Sequence, residues 1–267
     1  MPFSFFILAN TLLAEDQIIS HDKKYIGVKD NNIYIYKGIR YAQPPLNKNR
    51  WNSPQDIENE EYPIQATKFG NACMQTNRLT IWSKQNVFIN GGDVNKVVDD
   101  LIFDEDCLFL NIWSPVNEEN KKLPIMFFIH GGSNRSGSGH DQQLRNGAHL
   151  AKQGVILVTI NYRLNIFGFL SHEGLNLQSN NSSGNYAILD QIKAIKWIRK
   201  NASTFGGNPD NITIFGQSAG GRNILGLLVS PLAKGIFDKA IIQGIGIGNF
   251  KPMEPTLKDH MGLTCLL

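Results

Sequence analysis

Short apolar runs recur along the second half of the chain and predict buried strands. Between two of them, isoleucines at 188, 192, 195 and 198 follow the three- and four-residue spacing of a helix with one buried face, which predicts a helix over Tyr186–Asn201. Strands that alternate with helices predict an α/β fold with a mostly parallel central sheet, and unbroken apolar strands suit a sheet covered on both faces. The predicted strands cover residues 108–113, 125–129, 155–160, 212–215 and 240–243.

The first hundred residues follow a different pattern. Residues 25–36 alternate around Asp30, Asn31 and Asn32, which predicts a β-hairpin ahead of the α/β part. Glycine and paired prolines in residues 37–45 predict an irregular extended path, and the polar sequence from there to about residue 100 has too little periodicity to predict an element. Residues 176–185, rich in Asn and Ser, predict a surface loop.

Composition narrows the class of protein. With 267 residues and 42% hydrophobic content, the chain can bury one large core or two small ones. The net charge of +3 comes from 26 basic and 23 acidic residues that are scattered along the chain, which argues against a nucleic-acid partner. No stretch approaches the run of about 20 apolar residues that spans a bilayer. The sequence leaves the oligomeric state open.

The N-terminus and the cysteines bear on cellular location. Residues 1–14 form an apolar run that ends at a small residue and resembles a secretory signal, although no Lys or Arg precedes it. A buried N-terminal strand is the alternative. The three cysteines lack the C-x-x-C spacing of a metal or redox site. Export would permit a disulfide between Cys73 and Cys107 and would leave Cys265 without a partner.

Export would also allow N-linked glycosylation. The sequons begin at Asn134, Asn180, Asn181, Asn201 and Asn211. Asn180 or Asn181, within the predicted polar loop, is the expected site, because Asn134 and Asn211 lie beside the candidate chemistry described next.

The clearest chemical motif lies in residues 211–221. A β-branched run ends at Gly216, and residues 216–220 fit G-x-S-x-G with Ser218 at the centre. In this motif a strand, a sharp turn and a helix expose the serine oxygen at the end of the strand. A serine in an ordinary turn, with no catalytic role, is the alternative, but the apolar helix predicted after Ser218 favours a nucleophile.

A glycine-rich segment follows the predicted strand at 125–129. Gly131, Gly132 and Ser133 come after His130 there, and glycines let backbone N–H groups approach a ligand. An α/β hydrolase places its oxyanion donors at this point, with one more from the residue after the nucleophile, here Ala219. A phosphate-binding loop is the rival interpretation, but no Lys-Ser or Lys-Thr follows. No cofactor or metal is expected.

Together these motifs resemble the type-B carboxylesterase and cholinesterase-like family of α/β hydrolases. The resemblance implies a serine hydrolase of small-molecule carboxylic esters that works through an acyl-enzyme. Ser218 would accept the acyl group, and Gly132, Ser133 and Ala219 would supply the oxyanion donors. Further segments carry the likeness in the right order, namely residues 37–45, 105–113, 129–132, 161–164, 184–185, 189–191, 205–209 and 230–232.

The resemblance also implies three structural links. They are a disulfide between Cys73 and Cys107 and the ion pairs Arg50–Glu105 and Arg163–Asp190. The sequence departs from the family where Ser133 replaces a glycine and Gln217 replaces a glutamate, and neither change removes a catalytic group. The tryptophan that binds choline in cholinesterases is missing from residues 95–98, so choline esters are not the expected substrates.

The catalytic acid and histidine are not evident. An α/β hydrolase supplies them after later strands, and the only histidine after Ser218 is His260. We therefore expect residues 15–267 to form an incomplete esterase domain that is weak or inactive alone, with residues 240–243 as an exposed and destabilising edge strand. A non-catalytic binding protein of the same fold and a truncated gene product are the alternatives.

Overall fold

The computed structural model describes residues 17–19, 23–58, 60–76, 78–97, 100–116, 121–140, 146–178 and 183–245. The signal-like residues 1–14 lie outside the described residues, as do Asn180, Asn181, His260 and Cys265. The strands are β1 Gln17–Ile19, β2 Tyr25–Asp30, β3 Ile33–Arg40, β4 Ile64–Gln65, β5 Ala72–Cys73, β6 Phe103–Asp104, β7 Phe109–Pro115, β8 Leu123–Ile129, β9 Ile156–Ile160, β10 Gly207–Gln217 and β11 Lys239–Gln243. The helices are α1 Arg78–Ile89, α2 Ala148–Ala151, α3 Asn165–Phe169, α4 Glu173–Gln178, α5 Tyr186–Asn201 and α6 Ala219–Val229.

One large sheet organises the described residues. Its strand order is β1-β2-β3-β7-β9-β8-β10-β11, and β4 pairs with β2. The strands β9, β8, β10 and β11 run parallel to one another, whereas β1, β2, β3, β7 and β9 pair antiparallel. The predicted hairpin is confirmed by β2 and β3, which turn at Asn31 and Asn32, both at positive φ. The α/β-hydrolase fold class is confirmed.

The direction of β7 follows from a short connection. Only residues 116–122 separate β7 from β8, whereas a crossover between parallel strands needs about a dozen residues or more. The two strands therefore run in opposite directions, and β9 lies between them. The apolar pattern predicted both strands but gave no direction for either.

Helices cover both faces of the parallel strands. On one face, α5 buries Ile192, Ile195 and Ile198 against the sheet, and α6 adds Ile224 and Leu227 to the same core. On the other face, α2 packs with Trp113, Leu157 and Phe215 in a smaller cluster. All five residues of β9 are buried, as expected for a strand covered on both sides.

Two helices occupy segments for which the pattern predicted none. Helix α1 lies in the polar stretch before residue 100, and α4 overlaps the start of the predicted loop at 176–185. That loop prediction was therefore wrong for residues 176–178. None of the described helices is long and apolar enough to cross a membrane.

Candidate active site

Ser218 is the single residue that connects a strand to a helix. Strand β10 ends at Gln217 and helix α6 begins at Ala219, so the chain turns at this one residue. Its φ of 56° and ψ of −122° form a backbone conformation that L-residues rarely adopt, at a cost of about 1–3 kcal/mol. The surrounding contacts must hold this strained turn, which presents the serine at the end of the sheet.

Glycines bring the turn against the end of β8. A Cβ on Gly220 would collide with the carbonyl oxygen of Ile129, and one on Gly131 would lie 2.7 Å from the carbonyl oxygen of Gln217 and 3.2 Å from Cβ of Ser218. Only glycine therefore fits at these positions. The absence of two side chains lets the glycine-rich segment and the serine turn touch.

The backbone of Ser218 is fixed from the neighbouring strand. Its N–H donates to the carbonyl oxygen of Gln243 at the end of β11, at 3.0 Å, and its carbonyl oxygen accepts from the N–H of Arg222 in α6. The Ser218 side chain is half-buried, and Oγ makes no hydrogen bond to any described residue. The hydroxyl is thus held in place through its backbone and left available.

The segment after His130 forms a tight turn. Gly132, Ser133 and Asn134 follow one another at φ values of 107°, 58° and 55°, and the Gly132 carbonyl oxygen accepts from the N–H groups of Arg135 and Ser136 at 3.0 and 3.1 Å. The backbone N–H groups of Gly132, Ser133 and Ala219 donate to no partner among the described residues. Such donors are rare in folded proteins unless a ligand or water uses them.

The buried side chain of His130 stabilises the backbone of this turn. Its ring is buried, stacks on Tyr162 with 4.3 Å between ring centroids, and places Nδ1 2.8 Å from the carbonyl oxygen of Gly131. Burial lowers the pKa of His130 to about 4, so the ring is neutral at neutral pH and Nδ1–H donates to Gly131. The Tyr162 hydroxyl donates to the His130 carbonyl oxygen at 2.6 Å.

The residues expected to form structural links are paired in the structure. A disulfide joins Cys73 to Cys107. Arg50 donates twice to Glu105, at 2.5 and 2.6 Å, and both side chains are partly exposed. Arg163 donates twice to Asp190, at 2.8 and 2.7 Å, and that pair is buried.

Sequence reasoning missed one pair of side chains at the site. Asn134 and Asn223 are both buried, and their amide groups exchange two hydrogen bonds. No periodicity or motif links two residues so far apart in the chain. Because its side chain is enclosed and paired, Asn134 is also unavailable for glycosylation.

The site is built from backbone donors and a hydroxyl. Among the residues that the structure describes, no group of three or more His, Cys, Asp or Glu side chains is placed to hold a metal ion. The strained serine, the three unpartnered N–H groups and the N-terminus of α6 instead favour an electrophilic carbonyl group whose oxygen gains negative charge.

Comparison with known proteins agrees with these features. A sequence model of the carboxylesterase family matches residues 22–250. Para-nitrobenzyl esterase from Bacillus subtilis (strain 168) is 41% identical over 221 residues, which are 82% of this chain and 42% of that protein. Carboxylesterase 1C from Mus musculus is 37% identical over 224 residues, or 82% of this chain and 38% of that protein.

A solved structure of a PNB esterase has the same architecture. It superposes with a TM-score of 0.73 and 38% identity over 85% of this chain and 44% of that one. The chain therefore spans about two fifths of the length of the curated relatives that it matches.

Proposed function

Because the chain belongs to the carboxylesterase family, as its motifs predicted, we propose that it hydrolyses small-molecule carboxylic esters through an acyl intermediate on Ser218. The observation that carries this proposal is a strained serine whose hydroxyl makes no hydrogen bond to a described residue and which lies against the glycine-rich segment. The N–H groups of Gly132, Ser133 and Ala219 likewise have no partner among the described residues. A nucleophile beside preorganised donors is the arrangement that acyl transfer requires.

The proposed reaction has two stages. Ser218 Oγ attacks the ester carbonyl carbon and loses its proton to a base, and the carbonyl oxygen becomes an oxyanion held by the three N–H groups. Collapse of this intermediate expels the alcohol and leaves the acyl group on Ser218, which water then removes. Each donor contributes about 2.7–4 kcal/mol to the transition state. The Ala219 N–H adds the positive end of the α6 dipole.

The general base is proposed to come from outside the described residues. The described histidines are His130, His140, His149 and His172, and none is hydrogen-bonded to Ser218 Oγ. His130 is further occupied by its bond to Gly131. With the described residues alone, the oxyanion donors would support a residual rate of about 10³–10⁴ over water.

A reactive-serine experiment tests the proposal. The full chain, Ser218→Ala and a matched control, Ser230→Ala at the far end of α6, are treated with a fluorophosphonate probe and with p-nitrophenyl acetate. We expect labelling on Ser218 and ester cleavage in wild type and Ser230→Ala, and loss of both in Ser218→Ala. Equal labelling and cleavage in Ser218→Ala, or a folded wild type that never reacts, would contradict the proposal.

We also propose that the protein matures in an oxidising compartment. The support is the buried Cys73–Cys107 disulfide, since such bonds persist in exported proteins and are rare in reducing ones. Site-specific thiol labelling of the denatured natural protein tests it, with Cys73 and Cys107 expected to react only after reduction. Labelling of both cysteines without reductant would overturn this part of the proposal.

A further inference from the structure

Two asparagines join the halves of the site. Asn134 directly follows Ser133, and Asn223 lies one helical turn beyond Ala219; their exposed fractions are 0% and 1%. Asn134 Nδ2 donates to Asn223 Oδ1 at 3.2 Å, and Asn223 Nδ2 donates to Asn134 Oδ1 at 3.0 Å. We propose that this reciprocal amide pair positions the oxyanion donors relative to Ser218, an inference that rests on the proposed function.

The donor turn needs such a restraint. Ser133 adopts a positive φ, which most side-chain-bearing residues disfavour, so the turn would relax if its neighbours did not hold it. The Asn134 backbone carbonyl is bonded to the N–H of Asn165 at 2.9 Å. Its side chain reaches in the other direction and bonds to α6, and its Oδ1 also lies 3.5 Å from the titratable hydroxyl of Tyr162.

The serine hydroxyl and the third oxyanion donor, the Ala219 N–H, are attached to the start of helix α6. Residues four apart lie on the same face of a helix, so Asn223 is stacked behind Ala219, next to Ser218. A movement of α6 along its axis would carry the Ser218 hydroxyl and the Ala219 N–H together, away from the N–H groups of Gly132 and Ser133. The amide pair opposes that movement, and a displacement of about 1 Å can cost about 100-fold in rate.

The chemistry of an amide pair provides a specific test. In Asn223→Asp, a protonated carboxyl group can still donate to Asn134 Oδ1 and accept from Nδ2, which preserves both hydrogen bonds. The ionised carboxylate can only accept, and one of its negatively charged oxygens would face the partially negative Asn134 Oδ1 with no hydrogen between them. The variant should therefore approach wild-type behaviour at low pH and lose it as the pH rises, which a purely steric role for Asn223 would not produce.

The matched control is Asn111, another buried asparagine with side-chain hydrogen bonds. Its Oδ1 accepts from the N–H of Gly38, and its Nδ2 donates to Thr159 Oγ1 and to the carbonyl oxygen of Gly139, so its hydrogen bonds reach neither residues 131–136 nor α6. Asn111→Ala should lower the free energy of unfolding, because buried hydrogen bonds are lost. It should leave the labelling rate of Ser218 within about twofold of wild type.

The experiment measures the rate of Ser218 labelling by the fluorophosphonate probe in the full chain at pH 5 and pH 8. We expect Asn134→Ala and Asn223→Ala to slow labelling by about 10- to 100-fold at both values. Relative to wild type, Asn223→Asp should label at a similar rate at pH 5 and about tenfold more slowly at pH 8. Wild-type rates in both alanine variants, or a pH-independent ratio for Asn223→Asp, would overturn the inference.

A second measurement separates this inference from the proposed function. If wild type is never labelled, the esterase proposal fails, and hydrogen exchange then tests the positioning by itself. Backbone amides of residues 130–137 should exchange faster in Asn223→Ala than in wild type or Asn111→Ala. Unchanged exchange would overturn the positioning role, whatever the chemistry of Ser218.

Discussion

The parallel half of the sheet, β8 to β11 with helices α5 and α6, is stabilised differently from the segment between Cys73 and Cys107. Ile125, Val158 and Ile214 in the parallel half are completely buried. Helix α1, in the middle of the cysteine-bounded segment, instead exposes 59% of Trp82 and 75% of Phe88.

The two regions are stabilised by different interactions. Densely buried apolar side chains stabilise the parallel half, and its loops can therefore tolerate a strained serine and unpartnered backbone donors. The cysteine-bounded segment has few buried apolar contacts, which is typical of regions that open locally. Its two ends are covalently joined, and Glu105 beside Cys107 pairs with Arg50 on the surface. The following substitutions test this contrast.

The largest loss is expected from breaking the buried ion pair of the parallel half. Asp190→Ala would leave the enclosed Arg163 guanidinium without its partner, and we expect the free energy of unfolding to fall by about 3–5 kcal/mol. Urea unfolding measures this value. The double variant Arg163→Met/Asp190→Leu should lose less than Asp190→Ala, because it leaves no uncompensated charge. A single-variant loss below about 1 kcal/mol would contradict the prediction.

Acid should weaken the parallel half through His130. Its folded pKa of about 4 lies below the unfolded value of 6.5, so between these values the unfolded chain binds a proton that the folded chain does not. The stabilisation is complete above pH 6.5 and is lost as the pH falls to about 4. At about 1.4 kcal/mol per pKa unit, the loss is about 3 kcal/mol.

Unfolding free energies at pH 4 and pH 7 test this pH dependence. The decrease between the two should be smaller in His130→Gln by about 3 kcal/mol. His149→Gln, which removes an exposed histidine, is the control and should behave as wild type. An identical decrease in wild type and His130→Gln would refute the assignment.

Removing the disulfide should weaken mainly the cysteine-bounded segment. Cys73→Ser/Cys107→Ser opens a loop of sequence separation 34, and the expected loss is about 2–4 kcal/mol. Hydrogen exchange should show lost protection first in residues 78–97, before the parallel half responds. Uniform loss of protection across both regions would mean that they do not differ as described. Cys265→Ser serves as the control.

The smallest effect is expected on the exposed face of α1. Ile89→Ala removes a side chain that is 77% exposed and should change the free energy of unfolding by no more than about 0.5 kcal/mol. Its counterpart in the parallel half, Ile198→Ala, removes a fully buried isoleucine of α5 and should cost about 2–5 kcal/mol. Similar losses in the two variants would remove the contrast between the regions.

The same contrast explains what the sequence could predict. Helix α5 was predicted with its observed bounds because its isoleucines face one core and so recur at helical spacing. Helix α1 was missed because several of its apolar residues, among them Ile81 and Trp82, are exposed, and a pattern produced by burial cannot reveal a helix that buries little.

Within the site, the sequence predicted the features that depend on neighbouring residues but not those that depend on residues far apart in the chain. The serine turn and the glycine segment are local, because strained backbone at fixed positions demands glycine and leaves a readable motif. The pairing of Asn134 with Asn223 depends on how β8 and β10 bring two distant segments together. The direction of β7 likewise follows from the short connection at residues 116–122 and not from the apolar pattern of the strand itself.

The hydrogen bond from the Ser218 N–H to the Gln243 carbonyl oxygen has a consequence for protein synthesis. Residues emerge from a ribosome in order, at about 5–20 per second, so Ser218 is made seconds before its partner can reach it. During that interval β10 has β8 beside it but lacks β11, and the nucleophile turn is incomplete. Chaperones that bind nascent chains would therefore meet this half-formed edge before the serine is in place.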